Sequence, residues 1–261
     1  MKHPLPITAI LLVLFLVAHL VGLFVLSNYQ THAYPYGIEP PVVETQASAA
    51  QLIISLIVIT VLALVVIKMK ARRFWKFWFL LSLVVTMLLS FSSFMPALAA
   101  LIVALALALW RVYKNNVFIH NFTEMFVYGG LASIFVPVLN VLSIVILLVV
   151  ISVYDYISVF RTKHMIAMAK FQTDNKMFAG LLVPYDKKTA ILGGGDIGFT
   201  LMFSGVMFYQ FGLFKAILSS LIIGISLLTL FLLTKKNKFY PAMPFLSAGC
   251  FVALGIIALL P

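Results

Sequence analysis

Apolar runs that approach the length of a membrane-spanning helix recur along the whole chain. A helix crosses the hydrocarbon core of a bilayer in about 20 residues, and we find nine candidate runs, at 5–26, 50–67, 77–95, 97–110, 117–136, 137–160, 190–208, 216–233 and 240–260. Only 10% of the 261 residues are charged and 64% are hydrophobic, which is too few charges to cover a soluble protein of this size. We predict an all-α polytopic membrane protein with nine transmembrane helices, the sixth beginning at Pro137.

The positive charges are distributed unevenly between the two sides of the predicted helices. Nine spans place the termini on opposite sides, and 17 of the 18 Lys and Arg residues then fall on the side of the N-terminus, with Lys215 as the exception. Basic residues concentrate in cytoplasmic loops. We therefore predict a multi-pass protein of the cell membrane with a cytoplasmic N-terminus and an external C-terminus. The basic excess describes orientation in the lipid bilayer and gives no reason to expect nucleic-acid binding.

The chain divides at its most polar long segment. We predict an N-terminal six-span bundle at 1–160, a cytoplasmic loop at 161–189 and a C-terminal three-span bundle at 190–261. The apolar stretch 177–183 inside the loop is expected to rest on the bilayer surface or to pack against the bundle. With Cys250 as its one cysteine, the chain cannot form an internal disulfide or a thiolate metal cluster. We expect neither a metal nor a cofactor.

Three of the seven acidic residues fall inside predicted spans, where an unpaired charge is costly and marks a functional site by default. The other four lie in predicted loops and are interpreted as solvated charges: Glu39, Glu44, Asp174 and Asp186. We interpret Glu124, in the fifth span, as a hydrogen-bond partner of a neighbouring span, with a supporting role near an active site as the alternative.

Asp155 and Asp196 lie at matching depths in two consecutive spans. Asp155 precedes the basic end of its span at Arg161 by six residues, and Asp196 follows Lys188 by eight. At about 1.5 Å of rise per residue, both carboxyls are expected roughly 9–12 Å from the cytoplasmic face. We see no Lys or Arg buried in a span that could pair with them, so we predict that the two acids act together.

Three short motifs surround this pair. They are Tyr154-Asp155, then Gly193-Gly194-Gly195-Asp196, and finally Pro241-Ala242-Met243-Pro244 at the cytoplasmic start of the last span. Glycines weaken a helix start and let another backbone approach closely. Prolines give a rigid extended entry that lacks backbone donors. Helix packing alone would account for the glycines, but it would not require an acid directly after them.

In this order and at one membrane face, the three motifs resemble those of the presenilin/signal peptide peptidase family of intramembrane aspartyl proteases. The second motif has the Gly-x-Gly-Asp pattern, and the third departs from the family's usual Pro-Ala-Leu only at Met243. Exchanging Leu for Met conserves volume. The predicted orientation is that of presenilins, and the small size resembles an archaeal homologue. The 29-residue loop is short for the self-cleavage segment of animal presenilins.

The resemblance implies an intramembrane aspartyl endopeptidase that hydrolyses peptide bonds in or near transmembrane segments of single-span proteins. Asp155 and Asp196 would be catalytic. The supporting residues that position substrate would be Tyr154, Gly193, Gly194, Gly195, Pro241, Ala242, Met243 and Pro244. The resemblance further implies activity without obligatory subunits, while the sequence leaves a homo-oligomer open.

Two alternatives use the same acids. A proton-coupled transporter or ion leak also needs paired intramembrane acids, although such carriers often contain repeated halves with broken helices in each, and we find only one glycine-broken span. A prepilin-peptidase-like aspartyl protease also combines Gly-x-Gly-Asp with a second Asp. The sequence lacks the His-Glu-x-x-His motif of zinc metalloproteases.

Overall fold

The computed structural model describes residues 4–40, 72–114, 116–162, 178–186, 188–234 and 240–260, together with Ile54 and Val58. The second predicted span, at 50–67, lies outside this part of the chain apart from those two residues. The described residues are mostly helical. Their eight α-helices are α1 (Leu5–Tyr29), α2 (Arg72–Phe91), α3 (Ala97–Tyr113), α4 (Val117–Phe135), α5 (Val141–Ile157), α6 (Gly194–Phe211), α7 (Leu213–Leu233) and α8 (Met243–Leu259).

Several of these helices are apolar enough to lie in a membrane. Three are also long enough to cross one, at Leu5–Tyr29, Val141–Arg161 and Leu213–Leu233. Shorter apolar helices lie at Lys76–Phe91, Ala97–Tyr113 and Met243–Leu259. The second of the three long segments includes the π-helical turn Ser158–Thr162, which continues α5. These features are those of an integral membrane protein.

The start of the sixth predicted span differs from the prediction. Instead of opening a helix at Pro137, residues Val136–Val138 form a 3₁₀ turn, and α5 begins at Val141. The reason is a helix cap that follows the proline. The side chain of Asn140 accepts a hydrogen bond from the N–H of Ser143 at 2.7 Å, which satisfies one of the free donors at a helix N-terminus.

A β-hairpin precedes α6, so the prediction of an all-α chain is wrong here. Strand β1 (Gly180–Tyr185) pairs antiparallel with β2 (Lys188–Gly193), in a register that sets Gly180 opposite Gly193. The predicted seventh span therefore begins as a strand, and its helix starts only at Gly194. Side chains alternate between the two faces of a strand. One face of this hairpin is apolar and buries Leu181, Val183, Ala190 and Leu192 against the bundle.

The hairpin also shows where the apolar part of the polar loop lies. Of the stretch 177–183, the structure describes 178–183, and β1 contacts α1, α4 and α6. Packing against the bundle, one of the two predicted arrangements, is therefore correct for these residues. The hairpin crosses the predicted boundary at 190 and runs directly into α6.

Helix α1 lies at the centre of the packing, in contact with α4, α6 and α7. Its Gly22 allows Leu201 of α6 to approach closely, since a methyl group there would overlap that side chain. The ring nitrogens of the buried His19 lie 3.0 Å from Ser220 Oγ on α7 and 3.1 Å from Thr200 Oγ1 on α6. Helix α8 contacts α5, α6 and α7, so the segments that carry the three motifs converge.

Candidate active site

Asp155 is buried in the last turn of α5, where only 5% of its surface is exposed. Its Oδ2 accepts a hydrogen bond of 3.1 Å from the backbone N–H of Met243, the first residue of α8. The first N–H groups of a helix have no partner within the helix and carry a partial positive charge. The N-terminus of α8 is therefore directed at the Asp155 carboxyl.

Asp196 is the third residue of α6, immediately after the hairpin. Its carboxyl turns back toward the backbone N–H of Gly193, the residue that precedes the helix. An acidic side chain at this position satisfies a free donor of the first turn, as in a capping box. Asp155 and Asp196 are near enough to interact electrostatically. The helices that carry the two acids, α5 and α6, also contact each other.

The three glycines before Asp196 have different surroundings. A methyl group at Gly193 would lie 3.1 Å from Oδ2 of Asp196, and one at Gly194 would lie 2.8 Å from the hydroxyl of Tyr128. At Gly195 the nearest atom would be a ring carbon of Phe199, at 3.7 Å. Gly193 and Gly194 are therefore confined by the described residues, whereas the space beside Gly195 is open to a ligand.

The proline motif forms the entry to α8. Pro241 and Met243 are buried, and Pro244 lies in the first turn of the helix, where it needs no backbone donor. Ala242 has helical dihedral angles, φ −84° and ψ −35°. From Ala242 onward this motif is therefore helical, and its Met243 N–H is already used by Asp155. Tyr154, by contrast, is 37% exposed at the surface of the bundle.

A buried ion pair, which the sequence interpretation missed, lies next to this site. Arg111 in the last turn of α3 is only 5% exposed and pairs with Glu124 of α4. The assumption that no basic residue is buried in a span was therefore wrong. Arg111 ends an apolar run, so it was counted among the loop charges. Helices α3 and α4 follow each other closely in sequence, and this spacing could have indicated the pair.

The same carboxylate fixes the hairpin. Glu124 accepts hydrogen bonds from the hydroxyl of Tyr128 and from the backbone N–H of Gly180, the latter at 3.0 Å. The side-chain amide of Asn121 donates to the carbonyl oxygen of Leu182 at 2.6 Å and accepts from the N–H of Leu182 at 2.9 Å. Helix α4 therefore covers the outer edge of β1. Within the described residues, the outer edge of β2 has no strand partner.

The described residues contain no group of three or more His, Cys, Asp or Glu side chains suitably placed for one ion. Two carboxyls that interact in a largely buried site are suited to general acid–base chemistry, because they share one proton more readily than they ionise together. Such a pair can activate water for attack on a carbonyl group.

Comparison with known proteins decides the family. A sequence profile described as "Signal-peptide peptidase, presenilin aspartyl protease" matches residues 10–199, a stretch that includes Asp155 and Asp196. The chain belongs to this family. As a presenilin-family protein it is an intramembrane aspartyl endopeptidase, a hydrolase that acts in the membrane. The match ends before Pro241 and does not cover the third motif. The hydrogen bond between Met243 and Asp155 is the separate observation that links this motif to the site.

Solved structures have the same fold. Two structures of a presenilin family intramembrane aspartate protease, in space groups C222 and P2, each superpose with a TM-score of 0.71, at 21% and 22% sequence identity. The alignments cover 97% and 96% of this chain and 99% and 97% of those chains. None of the curated proteins matches the sequence. The presenilin fold thus extends over nearly the whole chain, including the residues after 199.

Proposed function

We propose that Asp155 and Asp196 are the catalytic pair of this protease. The electrostatic interaction between these two carboxyls, on helices that pack together beside α8, carries the proposal. The ionised carboxylate activates a water molecule for attack on the scissile carbonyl. Its protonated partner donates a proton to the carbonyl oxygen. The proton taken from the water then passes to the leaving nitrogen as the C–N bond breaks, and the gem-diol returns a proton to the partner. The described acids include no second pair of this kind, and family membership favours proteolysis over transport, ion leakage or a prepilin-peptidase-like activity.

The N-termini of two helices support this chemistry. Asp155 accepts from the first N–H of α8, and Asp196 lies in the first turn of α6. Negative charge is stabilised at such positions, so either carboxyl is suited to hold the charge while the other holds the proton. The pair can therefore exchange roles between attack on the carbonyl and release of the amine without moving a helix.

The proposed substrate is a transmembrane peptide or single-span protein that has locally unwound. An extended segment can add to the free edge of a sheet through backbone hydrogen bonds, and the free edge of β2 leads directly to Gly193 and Asp196. The sequence interpretation placed Pro241–Pro244 among the residues that position substrate. We now assign strand addition to β2, and to the proline motif the role of holding α8 against Asp155. The open side of Gly195 leaves room for the substrate backbone.

The proposed topology keeps the nine spans, with the N-terminus in the cytoplasm and the C-terminus outside. In support, the Lys215 ammonium donates to the backbone carbonyl of Leu260 at 3.2 Å, so the predicted external loop and the end of α8 lie at the same end of the bundle. Single-span substrates with external N-termini would then be cut near the cytoplasmic face of the cell membrane. The segments 1–160, 161–189 and 190–261 remain our proposed division of the chain, which acts without obligatory subunits.

Cleavage of a generic single-span substrate by the detergent-purified chain tests the proposal. Asp155→Ala and Asp196→Ala are each expected to abolish cleavage while the melting temperature stays near that of the wild type. Glu39→Ala, which removes an exposed acid, is the matched control and is expected to retain activity. An aspartyl-protease transition-state mimic is expected to raise the melting temperature, whereas a carrier would not respond to it. Full cleavage by either aspartate variant would refute the assignment.

A further inference from the structure

Tyr128 of α4 lies against the beginning of the helix that carries Asp196. Its side chain is 4% exposed. A methyl group at Gly194 would lie 2.8 Å from its hydroxyl, and one at Gly198 would lie 3.8 Å from its ring carbon Cδ1. The tyrosine therefore covers one turn of α6, from two residues before Asp196 to two residues after it.

The hydroxyl of Tyr128 has a fixed direction. It donates to Glu124, whose carboxylate forms an ion pair with the buried Arg111. An ionised carboxylate can only accept hydrogen bonds, so the tyrosine hydroxyl must be the donor. The ion pair thus determines where the hydroxyl lies and, through it, how close residue 194 can come to α4.

The same ion pair holds the chain segment that hydrogen-bonds to Gly194. Arg111 donates to the carbonyl oxygen of Phe178 at 3.0 Å, and Glu124 accepts from the N–H of Gly180 at 3.0 Å. Between these two residues, the carbonyl of Ala179 accepts from the N–H of Gly194 at 3.1 Å. The first residue of α6 is therefore tied to this segment by a backbone hydrogen bond, and the Tyr128 hydroxyl limits the space beside its Cα.

We infer that Tyr128, held by the Arg111–Glu124 pair, is a positioning residue that sets the place of Asp196 opposite Asp155. The inference rests on the proposed function, because it concerns the geometry of the same two carboxyls. It also explains why the variable position of the Gly-x-Gly-Asp motif is a glycine in this chain. The Tyr128 hydroxyl occupies the space that a side chain at Gly194 would need.

Tyr128→Phe is the first test, because it removes only the hydroxyl. A displaced catalytic group lowers turnover steeply, so we expect kcat on a single-span substrate to fall about tenfold or more while KM changes less than about twofold. Binding of a transition-state mimic should weaken in parallel. Tyr29→Phe is the matched control. Tyr29 is also a buried tyrosine, 8% exposed, and it donates to the carbonyl of Leu89 at 2.6 Å.

The control separates positioning from stability. Both variants lose one buried hydrogen bond, so their melting temperatures should fall by similar amounts, but only Tyr128→Phe should lose turnover. Equal kcat in the two variants would overturn the inference. Asp196→Ala, measured alongside, tests the proposed function separately. If that variant retained activity, the catalytic assignment would fail regardless of what Tyr128→Phe does.

A double substitution provides the second test. Gly194→Ala alone should reduce cleavage strongly, because its methyl group meets the Tyr128 hydroxyl at 2.8 Å. Adding Tyr128→Phe removes that contact and should restore part of the activity relative to Gly194→Ala. The restoration stays partial because the methyl group would also lie 3.2 Å from the carbonyl oxygen of Ala179. If the activity of the double variant is lowered by the product of the two single-variant losses, Tyr128 does not set the position of residue 194.

Discussion

Met243 and Asp155 are joined by a backbone-to-carboxylate hydrogen bond of 3.1 Å across 88 residues of sequence. The motif that opens α8 therefore contacts the proposed catalytic pair through the backbone at the start of this helix. The side chains of the motif determine how firmly the start of α8 is held. Met243 itself is 3% exposed and packs in the main core of the bundle.

The first prediction concerns this buried methionine. Met243→Leu conserves volume, so we expect near wild-type cleavage and a melting temperature that changes little. Met243→Ala leaves a cavity, which typically costs about 2–5 kcal/mol in the free energy of unfolding, and it loosens the N–H that contacts Asp155. Thermal unfolding and cleavage of one substrate measure both effects. Equal activity in the two variants would show that the packing of α8 does not affect the site.

The second prediction uses the open side of Gly195. Gly195→Ala should leave the melting temperature unchanged or slightly raised, because the new methyl group meets only the Phe199 ring at 3.7 Å and alanine favours a helix by roughly 0.5–1 kcal/mol over glycine. Cleavage should nevertheless fall, since the methyl group occupies the proposed path of the substrate backbone. Initial rates at several substrate concentrations check this. Wild-type rates would mean that substrate does not pass here.

The third prediction concerns the buried ion pair. Glu124→Leu leaves the Arg111 charge without its partner, and breaking a buried pair in this way costs about 3–5 kcal/mol. Replacing both residues, as Arg111→Met with Glu124→Leu, should recover much of that stability. Denaturation of the purified variants in detergent measures the difference. A double variant as unstable as Glu124→Leu would indicate that losing the hydrogen bonds to the hairpin costs more stability than leaving the Arg111 charge unpaired.

The fourth prediction tests the proposed orientation. With Cys250 replaced by serine, a cysteine at Phe214 should react with a membrane-impermeant thiol reagent added to intact cells. A cysteine at Tyr113 should react only after the cells are opened. Both positions are well exposed in the protein, at 74% and 66%, so accessibility in the folded chain does not limit the reaction. The reverse labelling pattern would invert the proposed topology.

The sequence was sufficient to locate the two aspartates and to expect them together, because an acid in an apolar run is rare and its depth can be counted from the nearest basic residue. It was not sufficient for the hairpin. Residues 188–193 continue into the apolar run of α6, and a short apolar segment is compatible with either strand or helix. The strand is selected by pairing with β1. Strand β1 is in turn held by hydrogen bonds to Asn121 and Glu124, which are distant in sequence.

The sequence indicated the polar partners of the site only through the short connection between α3 and α4. Arg111 lies at the end of an apolar run, where a basic residue usually extends into the cytoplasm. Its burial depends on the approach of α4 and on the carbonyl of Phe178. Likewise, the glycine at 194 was interpreted as space for a backbone, whereas a tyrosine hydroxyl from another helix occupies that space.

The contact between Met243 and Asp155 also has a consequence for biogenesis. Helix α8 is synthesised after every other described helix, so a nascent chain already carries both aspartates in its inserted part before the N–H donor of Met243 emerges from the ribosome. Docking of α8, after both aspartates have been made, then supplies the backbone donor to Asp155.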